Sequence, residues 1–300
     1  MKRAVVFLIL FFGSSLCDAA ELRIRKGVLT QQANRTLIST LGRFERVGHG
    51  PHHVSDDCDL HAPILSQWIR VAVLGEFKNA CALGPDSAAA AQLTATGNRN
   101  IKGVFRIWFE HPGSAVLTEE EPIPEYEDSN PDHAVEIHPI TRVGSNSFLD
   151  RVGPIEKDGV AYEAKREMSF KALKKKKATF EAYTGDDGLR YIAITSPPNL
   201  ANHFRLRAKL ESDPELTANS DGHWAVADIR QGSQTLADDL RLFTVAGTDA
   251  DATLSDLEDG DLITFLGLTR IDLSKALEKA DDNPGEQVSL PIEFVILDIE

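Results

Sequence analysis

An acid and a histidine two residues apart occur twice in this chain, as Asp59-Leu60-His61 and as Glu136-Ile137-His138. On an extended strand residues i and i+2 point the same way. Each pair therefore sets a carboxylate beside an imidazole on one face, with Leu60 or Ile137 on the other. Glu76 adds a third carboxylate between them in sequence. Imidazole and carboxylate ligands suit zinc or another divalent ion. A histidine beside a carboxylate is also the usual unit of general acid–base catalysis. The same residues equally fit a network in which acids and histidines satisfy one another. Asp59, His61, Glu76, Glu136 and His138 are thus the candidate binding residues. No catalytic role is assigned to any of them and no cofactor is required; a divalent metal is what these residue types could hold. A second set, His49, His52, His53, Asp56 and Asp57, lies among Gly48, Gly50 and Pro51 and reads as a solvated turn. The sequence has no Gly-rich phosphate loop, nucleophile elbow or HExxH helix.

The elements that must position these residues are mostly strands. Segments 60–65, 68–77, 101–109 and 135–143 are rich in β-branched and aromatic residues and predict strands, with a further strand or helix over 36–44. A short helix is expected over 88–93, between Pro85-Asp86-Ser87 and Gly97, and an acidic loop over 119–132. Five strands with one helix between the third and fourth suit a small Greek-key barrel of the OB type. Gly144-Ser145-Asn146-Ser147 marks the expected boundary between a domain of 20–144 and one of 145–300. The second half stays β: 160–170 and 178–183 alternate, and Asp186-Asp187-Gly188 turns into 189–195 as a hairpin. Phe204, Leu206, Ala208 and Leu210 share one face, opposite His203, Arg205, Arg207 and Lys209. Strands at 224–229, 240–245, 262–271 and 288–299, with a helix at 274–280, complete a second β-barrel or sandwich. The fold class is all-β with short helices.

Lys2 and Arg3, an apolar run over 4–12, and small residues up to Ala19 read as a secretory signal over 1–19. That run is too short to span a membrane, and no later one approaches the length needed. Export to the periplasm or outside the cell follows. Cleavage would leave two cysteines, Cys58 and Cys81, most simply one disulfide. Its loop of about 22 residues would be worth ~3 kcal/mol in the chain-entropy model. The formal charge is −14, moving to about −15 without the signal. An acidic chain disfavours nucleic acid as a partner, even with Lys174 to Lys177 in a row, so none is expected.

Four motifs in order, Asp57-Cys58-Asp59-Leu60-His61, Glu76-Phe77 with Cys81, Gly103-Val104, and Glu136-Ile137-His138-Pro139, resemble small exported bacterial domains of uncharacterised function. The likeness covers residues 55–141. It implies an OB-like barrel and no known catalytic activity. Cys58 stands where that family has a small residue, and Trp108-Phe109-Glu110-His111 replaces a more glycine-rich stretch. The expected role is a binding or structural module of the cell envelope, recognising an envelope protein or glycan. The alternative is a metal-assisted hydrolase using Asp59, His61, Glu136 and His138.

Overall fold

The computed structural model describes residues 19–45, 50–53, 57–82, 95, 97–123, 125–126, 128–157, 160–162 and 168–300. The signal segment through residue 18, His49, Asp56 and the helix expected over 88–93 lie outside them. In the first half the strands are β1 (Ala20–Arg25), β2 (Leu37–Phe44), β3 (Leu60–Ser66), β4 (Val73–Phe77), β5 (Arg99–Ile107), β6 (Val116–Thr118) and β7 (Val135–Val143). Strand β4 is shorter than the alternation over 68–77 suggests. The Ser66 hydroxyl accepts from the amides of Trp68 and Ile69, at 3.1 and 3.0 Å, and turns that stretch.

Five of these strands close on themselves. Antiparallel ladders join β2 to β3, β3 to β4, β7 to β5 and β5 to β2, and a parallel one joins β4 to β7. Alternation explains the interior: Leu60, Ala62 and Ile64 of β3 and Val135 and Ile137 of β7 are all fully or nearly fully buried in one apolar core.

The second half repeats the plan. After β8 (Lys177–Thr184) and β9 (Arg190–Ser196) come β10 (His203–Leu210), β11 (His223–Gln231), β12 (Gln234–Phe243), β13 (Leu262–Ile271) and β14 (Ile292–Ile299). Here β10 pairs with β11, β11 with β12, β14 with β13 and β13 with β10, all antiparallel, while β12 and β14 are parallel. Counted along the chain, both barrels close in the order 1-2-3-5-4, the Greek-key order of the OB type. The second half is therefore a barrel rather than a sandwich. The alternation over 160–170 resolves into a strand at Val160–Tyr162 and a helical turn at Phe170–Leu173, capped by the Ser169 hydroxyl.

A third sheet ties the barrels together. Its order is Val288–Ser289, β8, β9, β1, β6. Strand β6 lies in the connection between strands 4 and 5 of the first barrel, and Val288–Ser289 in the same connection of the second. Each barrel thus supplies one edge of a sheet whose centre is the hairpin of β8 and β9 beside β1. The expected boundary, Gly144 to Ser147, forms a tight turn off β7, with Val143 paired to Asn146.

The outer faces of the barrels also meet. Leu37 and Val104 of the first pack with Phe243, Leu266, Leu268 and Val295 of the second. Beside this apolar patch the Arg270 guanidinium donates to Glu293 (2.6 Å) and to the carbonyls of Phe105 and Arg35 (3.0 Å each), and it lies 4.7 Å over the Phe243 ring. Arg241 completes the group, 2.7 Å from Asp272 and 2.5 Å from Glu293. Removing a buried cation that serves four acceptors, the Thr36 carbonyl at 3.5 Å among them, strands them in a dry interface. Arg270→Met is therefore expected to lower unfolding stability in urea by ~3 kcal/mol; a loss under ~1 kcal/mol would show that Arg270 does not hold the barrels together.

Candidate functional site

The five expected residues come together on the outer face of the first barrel, along β3, β4 and β7. His61 of β3 stands opposite Glu76 of β4 in the ladder, and β4 runs beside β7, which carries Glu136 and His138. The two acid–imidazole pairs are therefore not on adjacent strands; Glu76 fills the gap between them. Their alternate neighbours Leu60, Phe77 and Ile137 point to the barrel core, which leaves the polar set on the other side. Gly103 of β5 lets that strand approach β7 closely, since a Cβ there would sit 2.5 Å from the Ile137 side chain and from the Pro139 carbonyl oxygen.

The His138 imidazole is the centre. Its Nε2 lies 3.1 Å from Asp59 Oδ2, and its Nδ1 lies 2.9 Å from Glu76 Oε2 and 3.5 Å from Glu136 Oε2. His61 Nε2 is 3.3 Å from the same Glu76 oxygen. Asp59 and Glu136 are 0 % exposed, His138 1 %, Glu76 3 % and His61 8 %. Despite the short separations, neither nitrogen of His138 or His61 makes an aligned hydrogen bond, nor does Asp59 Oδ2. The atoms are close without pointing at one another.

Electrostatics follow from this packing. Burial pulls the His138 imidazolium down, but the Glu76 carboxylate, with Asp59 and Glu136, outweighs it and holds the group well above the usual histidine value. Burial pushes Glu76 up, yet His138 and His61 together carry it well below the usual carboxylate range. For Glu136 the Arg106 guanidinium overcomes burial, and that carboxyl is likewise lowered. His203 goes the other way: burial, Lys78, His138 and Arg106 depress it well below the usual histidine value, and Glu76 opposes them only in part.

Several members of the cluster were not singled out from the sequence. Arg106 of β5 faces Glu136 across the ladder, donates to it at 2.5 Å, and reaches the second barrel at the Thr269 carbonyl, 2.6 Å away. It also bonds Asn202, which in turn bonds Glu110. His133 comes within 3.6 Å of Glu136. An arginine flanked by Phe105 and Ile107 was the available signal, because a charge in an apolar strand needs a buried partner. Of the loop histidines, His52 pairs with Asp57 at 2.9 Å and packs against His61, with ring centres 4.2 Å apart. The Cys58–Cys81 disulfide forms as expected and braces the chain beside Asp59. Asp59 Oδ1 accepts from the Asn79 amide at 3.2 Å.

Among the described residues, three groups of side chains bring metal-ligand atoms within 4.8 Å of one another: Asp59, Glu76 and His138; Glu76, His133 and Glu136; and His52, Asp57 and His61. The first two are wholly buried and share Glu76.

No family model and no curated protein matches the chain. Among solved structures it is similar to the wild-type single-stranded DNA binding protein from Thermus aquaticus, at 11% identity and a TM-score of 0.23, over 88% of this chain and 91% of that one. A deletion mutant of the same protein, delta 228-252 R190A, matches at 11% identity and 0.21, over 88% and 93%. Likeness this slight carries no argument about what this chain binds. One expectation is corrected all the same: the matched structures are of DNA-binding proteins, and the net charge of −14 is no ground for excluding nucleic acid. Net charge describes a whole chain rather than one face: Arg207, Lys209 and Arg230 line one cleft of this acidic molecule.

Glu110, at the rim of the cluster, offers a pH test. Burial is the main cause that raises it to about 7; Arg106 opposes the rise, and the Glu136 and Glu76 carboxylates add to it. A carboxyl whose folded value exceeds its unfolded one favours the fold at low pH, and that contribution is lost as pH rises through about 7. Glu110→Gln removes the loss. Relative to wild type, the variant should gain about 1–3 kcal/mol between pH 4 and pH 8 in urea titrations; an unchanging difference would mean that Glu110 is not held protonated.

Proposed function

We propose that this chain is an exported, non-catalytic binding module whose first barrel holds one divalent metal ion on Asp59, Glu76 and His138. The observation that carries the metal reading is the sealed trio itself: two carboxylates and an imidazole with ligand atoms within 4.8 Å, and buried polar atoms that find no aligned partner. A small cation would take an oxygen from each acid and one ring nitrogen of His138, leaving the other nitrogen to donate to a neighbouring carboxylate, and two carboxylates with a neutral imidazole balance its charge. The other buried trio is a poorer ligand set, because Glu136 is already neutralised by Arg106 at 2.5 Å. Export is supported by the charged and apolar start of the sequence and by a disulfide, which persists in oxidising compartments.

A hydrolase would use the same residues differently. It needs a coordination position that water and substrate can reach. With Asp59 and Glu136 at 0 % exposure and His138 at 1 %, the binding reading has the better support.

Elemental analysis of the purified chain after dialysis against zinc should find about one equivalent, lost in His138→Ala and kept in His52→Ala. At a hundredfold excess over its dissociation constant the ion adds about 2.7 kcal/mol, so the thermal midpoint should rise by several degrees. A wild-type protein that retains no zinc or manganese, with a midpoint that neither ion moves, would sink the metal reading.

A further inference from the structure

We infer that the free edge of β6 takes an extended, lysine- or arginine-bearing peptide segment as an added strand. The inference supplies a ligand class for the binding module proposed above and rests on that part of the reading, not on the metal.

Strand β6 is the outermost of the third sheet and, among the described residues, pairs with β1 alone, in parallel, Leu117 lying opposite Leu22. The Glu119 amide donates to the Arg23 carbonyl at 3.0 Å. Backbone groups alternate direction along a strand, so Leu117 shares the side of Glu119. The amides and carbonyls of Val116 and Thr118 then face the open edge. A cleft of about 520 Å³ runs along this edge, with Val71, Ile123 and Tyr126 among its apolar lining. Val116 is 48 % exposed, a large apolar side chain beside the cleft. A strand added here would gain main-chain bonds from the edge and seat alternate side chains in the cleft.

The rim identifies the partner's charge. Glu121, Glu125, Asp128 and Asp132 all line the cleft and all are exposed. None of the four belongs to an ion pair among the described residues, unlike Glu119 and Glu120 just before them, which pair with Arg25 and Arg23. Four carboxylates without cations repel an acidic occupant and would be neutralised by a basic one. A second copy of this chain docked edge to edge would bring two acidic rims together, so the same charge argues against self-association here. The short strand, spanning roughly 10 Å at 3.3 Å per residue, suits a brief segment rather than a broad surface.

The probe is a fluorescein-labelled Lys-Val-Lys-Val-Lys-Val peptide, read by polarisation against the full chain at low and at physiological salt. Saturable binding is expected. It should weaken at least tenfold in a Glu121→Lys, Asp132→Lys double variant, and at least tenfold for a probe N-methylated at alternate residues, which keeps its charge but loses its strand bonds. Unchanged circular dichroism and thermal midpoint verify that the double variant folds. No saturable binding at millimolar protein overturns the inference. So does equal binding of a Glu-Val-Glu-Val-Glu-Val probe, or an N-methylated probe that binds as well as its parent, which would leave charge attraction alone. Metal content measured on the same sample separates the two proposals: a chain that holds zinc and ignores the peptide refutes only this one.

Discussion

A charge taken out of water must meet its counter-charge or remain in water, and that constraint sets how the two barrels face each other. Arg106 belongs to the first barrel and bonds Glu136 on its own sheet, but its remaining donors reach Thr269 and Asn202 beside the second. Arg270 belongs to the second, and its donors reach Phe105 and Arg35 of the first half. Neither guanidinium is satisfied within one barrel. The apolar patch of Val104, Phe243 and Leu266 supplies contact area, while the arginines fix registration, because a small slide would leave donors and carbonyls unpaired in a dry layer. The acid–histidine cluster lies in the same layer. Both halves contribute to its cover: His52 of the first packs on His61, and His203 of the second lies 6.0 Å from the His138 ring.

Much of the first barrel is legible in the sequence because its strands are half-buried in the ordinary sense, with an apolar face turned inward. Strand β7 begins at Val135 and ends at Val143, as its alternation indicates. The pairing of Asp59, Glu76 and His138 was foreseeable as residue types, since two-residue spacing on strands puts polar groups on one face. What could not be read was the cover. Glu136 and His138 look like solvent-facing residues of a surface strand, yet both are buried, among Arg106, His133, Asp59 and Glu76 of the first half and beside His203 of the second. Arg106, Arg270 and Glu293 carried a signal of another kind, single charges embedded in apolar strands. Sequence names the need for a partner in such cases but not the partner, which for Arg106 lies 30 residues away and for Arg270 lies 23. Gly103 is similar: its place in a strand is visible, while the reason for it, a close approach of β7, is tertiary.

The repeated strand order of the two halves is not visible as repeated sequence. The first barrel spends its long connections on an acidic loop and a disulfide-linked segment, the second on helices at Asp249–Ser255 and Leu273–Asp282. What the halves share is geometric: five strands, a parallel third-to-fifth pair, and a fourth-to-fifth connection that leaves the barrel to form an edge of the common sheet.

That common sheet has a consequence for how the chain is made. Strand β1 is the first of the described strands to be synthesised, yet its antiparallel neighbour is Arg190–Ser196, and until that hairpin has been made β1 has only the three-residue β6 beside it. The whole first barrel can close in the interval, while residues 20–25, with Leu22 and Ile24 destined for full burial, have only that short partner to dock on. For a chain that crosses a membrane before it folds, such a delay is harmless; for one folding as it is translated, it leaves an apolar strand paired along one edge at most until the hairpin arrives.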